Sequence, residues 1–305
     1  MIICCGEALI DMIPQAGALA PHAGGAVFNT AVALGRLDVP VQFLSGVSTD
    51  LFGKQLAEGL HASNVGTDLL IRADRPTTLA FVELTDGHAS YTFYDENTAG
   101  RMLDPAALPD IPADATAMYF GGISLINEPA ADFYLALAKR EASTRTIVAD
   151  PNIRANFVTD PERYRARLTQ LIACVDILKV SDEDLDWLVE GPQPHLEKAR
   201  ILQSQGPSIV VLTKGAQGAT ALFGVDETVS VPVPKVTVVD TVGAGDTFNA
   251  GFLAALSAEG GLEKSGIATL GAERIIQALQ HGAQVAAVTV SRAGANPPWR
   301  SELTA

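Results

Sequence analysis

A chain of 305 residues, 48% hydrophobic and 18% charged, has room for one large α/β domain or two smaller ones and is neither disordered nor a charged tail. Its 21 Lys+Arg against 35 Asp+Glu leave a formal charge of -14. That balance excludes a nucleic-acid coat and a polybasic membrane binder, both of which need a positive field, and at face value it also speaks against any anionic ligand.

The opening segment MIICCGEALIDMIP has no basic residue, and Glu7 and Asp11 interrupt its apolar run, so it reads as a strand rather than a signal peptide. No stretch reaches the ~20 apolar residues of a membrane span. Three cysteines form neither a disulfide framework nor a CxxC pair, and five histidines form no ligand motif. Cys4 and Cys5 read as packing residues of an edge-to-core strand, and Cys174 as a buried hydrophobe. The expectation is a soluble protein of the reducing, cytoplasmic compartment.

From there, strand patterns at 2–5, 41–45, 117–120, 146–150, 176–180 and 208–213 alternate with amphipathic segments at 26–37, 51–63, 130–142, 161–174 and 196–205. This rhythm predicts a three-layer α/β/α fold with a mostly parallel central sheet, spanning 1–305 as one domain. Residues 77–94 break it. TTLAFVELTDGHASYTFY reads as a hairpin turning at Asp86-Gly87, and with residues 11–20 it predicts a small β lid inserted at about 11–20 and 77–95. Its free edges suit lid-to-lid pairing into a homodimer.

Ligands of open α/β sheets sit beyond the carboxyl ends of the strands. Those ends carry Gly121-Gly122, Asp150–Arg154, Lys179–Asp184 and Thr213-Lys214-Gly215. The most informative stretch is DTVGAGDTFNAGF, residues 240–252, after a β-like run at 235–239 and opening an apolar helix. Gly243, Ala244 and Gly245 put small residues at the helix entrance, where N–H groups and the dipole favour an anion. Asp246 is then the nearest carboxylate, placed to take a proton from a hydroxyl. By itself, Gly-Asp-Thr before an apolar helix more often means a capping aspartate. The stretch is neither a Walker A loop nor a dinucleotide fingerprint.

DTVGAGDTFNAGF resembles the C-terminal signature of the ribokinase-like (PfkB) sugar kinases, and GGAVFNTAVALGRL, residues 24–37, resembles their N-terminal glycine-rich element. GEALIDMIP, FYDENTA and DPNIR are most similar to bacterial fructokinases. The resemblance spans essentially the whole chain and implies ATP-dependent phosphorylation of a sugar hydroxyl. It implies that Asp246 is the base, that Gly243, Ala244 and Gly245 form the anion hole, and that Arg154 lies near the transferred phosphate. Asp11, Gly24, Gly25 and Asn29 would bind the sugar, and Thr213, Lys214, Gly215 and Gly218 the nucleotide. Mg2+ would arrive with ATP, and Asp240 with residues 286–295 resembles segments that hold K+ in some members. Ser181 and Asp184 stand where many members carry Asn and Glu, a shorter pair that would reach a metal through water.

Val27-Phe28 and Ser48-Thr-Asp50 also depart from the family pattern and leave the choice of sugar open. A 2-keto-3-deoxygluconate kinase would want an extra cation, for which Arg101 or Lys54 are candidates. A nucleoside kinase would want aromatics, which make up only 6%. A non-catalytic sugar sensor would be expected to have lost Asp246 or the glycines. A nicotinamide-dependent dehydrogenase would need a G-x-G-x-x-G after the first strand, and none is there.

Overall fold

The computed structural model describes residues 1–85, 88–258 and 260–303, with the backbone alone at 83–85 and 88–90. In chain order the first half forms β1 (Ile2–Cys5), β2 (Leu9–Gln15), β3 (Ala18–Gly24), α1 (Ala26–Arg36), β4 (Val41–Ser48), α2 (Leu51–Ala62), β5 (Leu70–Ala73), β6 (Leu79–Thr85), β7 (His88–Tyr94), β8 (Ala117–Gly121), α3 (Ala130–Glu141) and β9 (Thr146–Asp150). The second half forms α4 (Pro161–Ile172), β10 (Ile177–Ser181), α5 (Asp182–Leu188), α6 (His195–Gln203), β11 (Ile209–Thr213), β12 (Ala219–Phe223), β13 (Glu227–Val231), α7 (Ala244–Ser257) and α8 (Ala272–Val290).

Nine strands make one sheet in the order β13-β12-β11-β10-β9-β8-β1-β4-β5, parallel except for the β12–β13 hairpin at one edge. Alternation along β1 sorts the two faces. Ile2 and Cys4 pack with side chains of α1, α2, α7 and α8, while Ile3 and Cys5 pack with those of α3, α4, α5 and α6. The result is the expected three-layer α/β/α arrangement. Helix starts follow local chemistry: Asp50 and Asp160 accept the N–H of Gly53 and Arg163, capping α2 and α4, and Pro161 opens the latter. Gly251 and Gly282 let α7 and α8 touch backbone to backbone, since a Cβ on either would stand 2.9 Å from atoms of the other helix.

The second sheet has the order β3-β2-β6-β7. β2 pairs antiparallel with β3 and parallel with β6, so the segment after β1 and the later hairpin share one small sheet, as expected. The Asp86-Gly87 turn lies outside the described residues.

Three local expectations change. β1 lies between β8 and β4 in the middle of the sheet, not at an edge, so Cys4 and Cys5 are fully buried. Cys174 is only half-buried, its Sγ turned to the Gln170 carbonyl. Residues 235–239 form no strand. They have no partner to complete a ladder, Val238 and Val239 are exposed, and the Val239 and Asp240 N–H groups bond the Val290 carbonyl instead. Among the described residues no helix is long and apolar enough to cross a membrane.

Candidate active site

The carboxyl ends of the central strands and the start of α7 converge on Asp246. Gly243 takes a left-handed φ of 76°, and a Cβ there would come 2.7 Å from that of Ala295. No side chain caps the first amides of α7. Ala244 donates its N–H to the Thr241 carbonyl at 3.2 Å. Of the expected Gly243–Gly245 set, Ala244 is thus engaged within the turn, which leaves the Gly243 and Gly245 amides as candidate donors to an anion, with that of Asp246 following.

Asp246 does not cap its helix. Its Oδ2 accepts from Asn29 Nδ2 at 2.9 Å, and its carbonyl accepts from Thr30 Oγ1 at 3.2 Å, so α1 holds α7 at this point. Burial is the main reason its pKa rises from 3.8 to about 6, with the Asp150 charge adding to it. The Asn29 bond and the charges of Arg154 and Lys179 restrain the rise.

Asp11 lies on β2 opposite His22 and beside Gly24, whose missing Cβ would stand 2.1 Å from Asp11 Oδ2. Burial and then the Asp246 charge push Asp11 up to about 7. Gly25 starts α1 at φ 110°, and Ala26 donates its N–H to Glu7 Oε1 at 3.0 Å. Glu7 Oε2 accepts from the Ser124 amide, so one buried carboxylate ties the start of α1 to the Gly121-Gly122 turn. Burial raises Glu7 to about 7 against the pull of its backbone donors.

Arg154, after β9, is fixed by Nη1 donating to Asn152 Oδ1 at 2.7 Å, and its charge is felt by Asp246 and Tyr91. Tyr91 and Phe93 come from β7 of the small sheet. Phe93 packs on Phe157 with centroids 4.8 Å apart, and Asn156 donates to the Tyr91 carbonyl. The small sheet thus rests on the loop that carries Arg154.

Thr213 ends β11 in register with Ser181. Lys214 donates its N–H to the Gly218 carbonyl, closing a turn in which Gly215 and Gly218 have φ of +47° and +91°. A Cβ on Gly218 would strike the Val231 carbonyl at 2.2 Å. Asp240 accepts from Val242 N–H at 3.0 Å and Gly294 N–H at 2.8 Å, joining the loop before α7 to the loop after α8. Asp184 is buried, and its two oxygens accept from the Ser181 and Ile153 amides, the first as a capping box on α5. Among the described residues no three His, Cys, Asp or Glu side chains cluster as metal ligands.

Sequence reasoning missed the group beneath the helix start. Lys179, placed by sequence only among the residues at a strand end and given no role, donates from Nζ to Asp150 Oδ2 at 2.9 Å, and Asn249 on α7 donates to the same oxygen at 2.7 Å. Asn249 also donates to Tyr119 Oη. The one available signal was a lysine inside ILKV, where a buried charge demands a partner.

The model of the pfkB family carbohydrate kinases matches residues 1–302. The chain belongs to that family. The kinase is 49% identical over 288 residues to a fructokinase of Rhizobium leguminosarum bv. trifolii, covering 92% of this chain and 86% of that one. Among solved structures, the Xylella fastidiosa fructokinase with bound ATP superimposes with a TM-score of 0.87 at 29% identity, covering 96% of the kinase and 93% of that chain. The Vibrio cholerae fructokinase with fructose, ADP and calcium ion bound gives 0.83 at 26% identity, covering 96% and 94%.

Proposed function

We propose that the kinase is an ATP-dependent fructokinase that makes fructose 6-phosphate, with Asp246 as its general base. The observation that carries the chemistry is the Asp246 carboxylate, buried, poised at about 6 and held by Asn29 beside the open amides of α7. The identity to the Rhizobium fructokinase supports the choice of sugar.

In this reading Asp11, Gly24, Gly25 and Asn29 orient fructose, and Asp246 takes the proton of its 6-hydroxyl as that oxygen attacks the γ-phosphorus of ATP in line. The amides of Gly243 and Gly245, with Arg154, stabilise the charge gathering on the transferred group. The Thr213–Gly218 turn receives the nucleotide. The small sheet closes as a lid to keep water from the phosphoryl group, and its free edges suit pairing with a second copy. The Asp184 and Asp240 oxygens serve backbone amides, so the residues present offer no protein cage for Mg2+. Mg2+ fits as part of the nucleotide, held by phosphate and water. K+ beside Asp240 is tested by exchanging it for Na+ in the assay below.

Two features speak against 2-keto-3-deoxygluconate. Arg101 is neutralised by Asp95 at 2.9 Å and bonded to the Glu128 carbonyl, and Lys54 is exposed on α2. The test is ADP release from Mg-ATP with fructose, ribose, 2-keto-3-deoxygluconate, adenosine or buffer alone. Release with fructose only is expected; turnover without fructose dependence would overturn the reading.

A further inference from the structure

We propose that Lys179 is a positioning residue for phosphoryl transfer: held on Asp150 directly beneath Gly245, its charge keeps the Asp246 carboxylate in its proton-accepting form and seats the first turn of α7. The proposal rests on Asp246 being the base.

Its Nζ stands 3.4 Å from where a Cβ on Gly245 would lie, so the glycine leaves the lysine its place under the anion-facing turn. Asp150 is fully buried and gathers Lys179 from β10 and Asn249 from α7, and Asn249 reaches on to Tyr119 on β8. Burial works against the lysine's charge, but Asp150 and then Asp184 hold its pKa above the ordinary value. Well-packed apolar residues in place of a buried ion pair are often as stable or more so, so stability alone does not call for a cation here.

The charge balance around Asp246 does explain it. Asp246 is faced by Asn29 from α1, Glu7 and Asp11 from the β1–β2 segment, Tyr91 from β7 and Tyr119 from β8. Asp150 and Arg154 face it from β9 and the following loop, and Lys179 from β10. Three further carboxylates oppose its ionisation; Lys179 and Arg154 favour it. Arg154 sits on a loop under the lid, whereas Lys179 is fixed in the central sheet and supplies its charge whether or not the lid is closed.

The test compares kcat–pH profiles of Lys179→Met, Lys179→Arg, Asp150→Asn and the Lys179→Met/Asp150→Asn double variant, with circular dichroism for fold and calorimetry for ADP affinity. Lys179→Met should lower kcat at pH 7 by about a hundredfold, with the fructose KM held within about threefold. It should move the acid limb to higher pH, Asp150→Asn should move it lower, and Lys179→Arg should restore most of the rate. Where Asp150→Asn leaves the lysine unpaired and fails to fold, the double variant carries neither charge, and its limb should fall below that of Lys179→Met.

ADP affinity should stay within about threefold in Lys179→Met, since the side chain acts through Asp246 and α7. A folded Lys179→Met with an unmoved limb overturns the proposal. So does an ADP affinity about tenfold weaker, which makes Lys179 a phosphate ligand instead. Inactivity of the unmodified enzyme toward fructose would refute only the substrate reading, and the profiles would then be read with whichever sugar releases ADP.

Discussion

Asn29 donates its side-chain amide to Asp246 Oδ2 at 2.9 Å, joining positions 217 residues apart in the chain. The bond places a residue of the N-terminal glycine-rich element directly on the carboxylate of the C-terminal one. It also favours the charged form of Asp246. Asn29→Ala should therefore raise the acid limb of kcat as well as the fructose KM, with kcat at pH 7 down by about tenfold. A limb unmoved from the wild-type position would show that the bond does not act on the base.

Asp246→Asn separates activity from stability. Turnover should fall by several orders of magnitude, as the loss of the proposed general base requires. Stability should move the other way. The folded-state pKa of about 6 lies above 3.8, so the folded protein binds this proton more tightly than the unfolded chain does. The buried charge then opposes folding above about pH 6, and the opposition fades as pH falls toward 4. Asparagine removes the charge and keeps an oxygen for Asn29. The variant should melt several degrees higher than wild type at pH 8, by up to about 3 kcal/mol, with the gap closing near pH 4. A variant less stable at pH 8 would contradict a strained, buried carboxylate.

Wild-type kcat/KM should fall on the acid side between about pH 6 and 7. Asp246 at about 6 must be ionised to act as base, while Asp11 and Glu7 at about 7 titrate beside it and share the macroscopic profile. Removing Asp11 as Asp11→Asn takes away a like charge, and the limb should move to lower pH. A limb that moves upward in this variant would reject the coupling.

Six of the nine strands of the main sheet were legible because they are short runs that state their own burial; β5, β12 and β13, at its two edges, were not among them. Residues 2–5 and 146–150 were bounded as observed, since both faces of a central parallel strand are apolar. Residues 235–239 carry the same local signal but lack a neighbouring strand, and pairing is not written in five residues. The candidate site was legible where chemistry sits in one contiguous stretch, as at 240–252. Lys179 was not, because its meaning depends on Asp150 and on Asn249, which reach it only in the fold. For Asp184 the Ser181-x-x-Asp184 spacing is that of a capping box, whereas its bond from the Ile153 amide arises only in the fold.

Gly24→Ala tests the sugar end. The added Cβ would fall 2.1 Å from Asp11 Oδ2, and the side chain of Asp11, not the backbone, is what must move. The fold should survive. With Asp11 rotated away from the sugar hydroxyls, the fructose KM should rise by about tenfold or more while the ATP KM holds. Equal loss toward both substrates would assign Gly24 to the architecture of α1 alone.

Phe157→Ala tests the lid. Phe93 on β7 leans on Phe157 at 4.8 Å, and Asn156 donates to the Tyr91 carbonyl, so the small sheet is latched onto the loop that presents Arg154. An aromatic pair of this kind contributes about 1 kcal/mol beyond its buried area, enough to shift a lid equilibrium several-fold. Truncation should weaken fructose binding by about that factor and raise the share of ADP released without fructose, because water then reaches the phosphoryl group more often. The melting temperature should fall only modestly, since Phe157 is half-buried in a short turn at the margin of the core and not at its centre. Unchanged coupling of ADP release to fructose in a folded Phe157→Ala would mean that the lid closes without this latch.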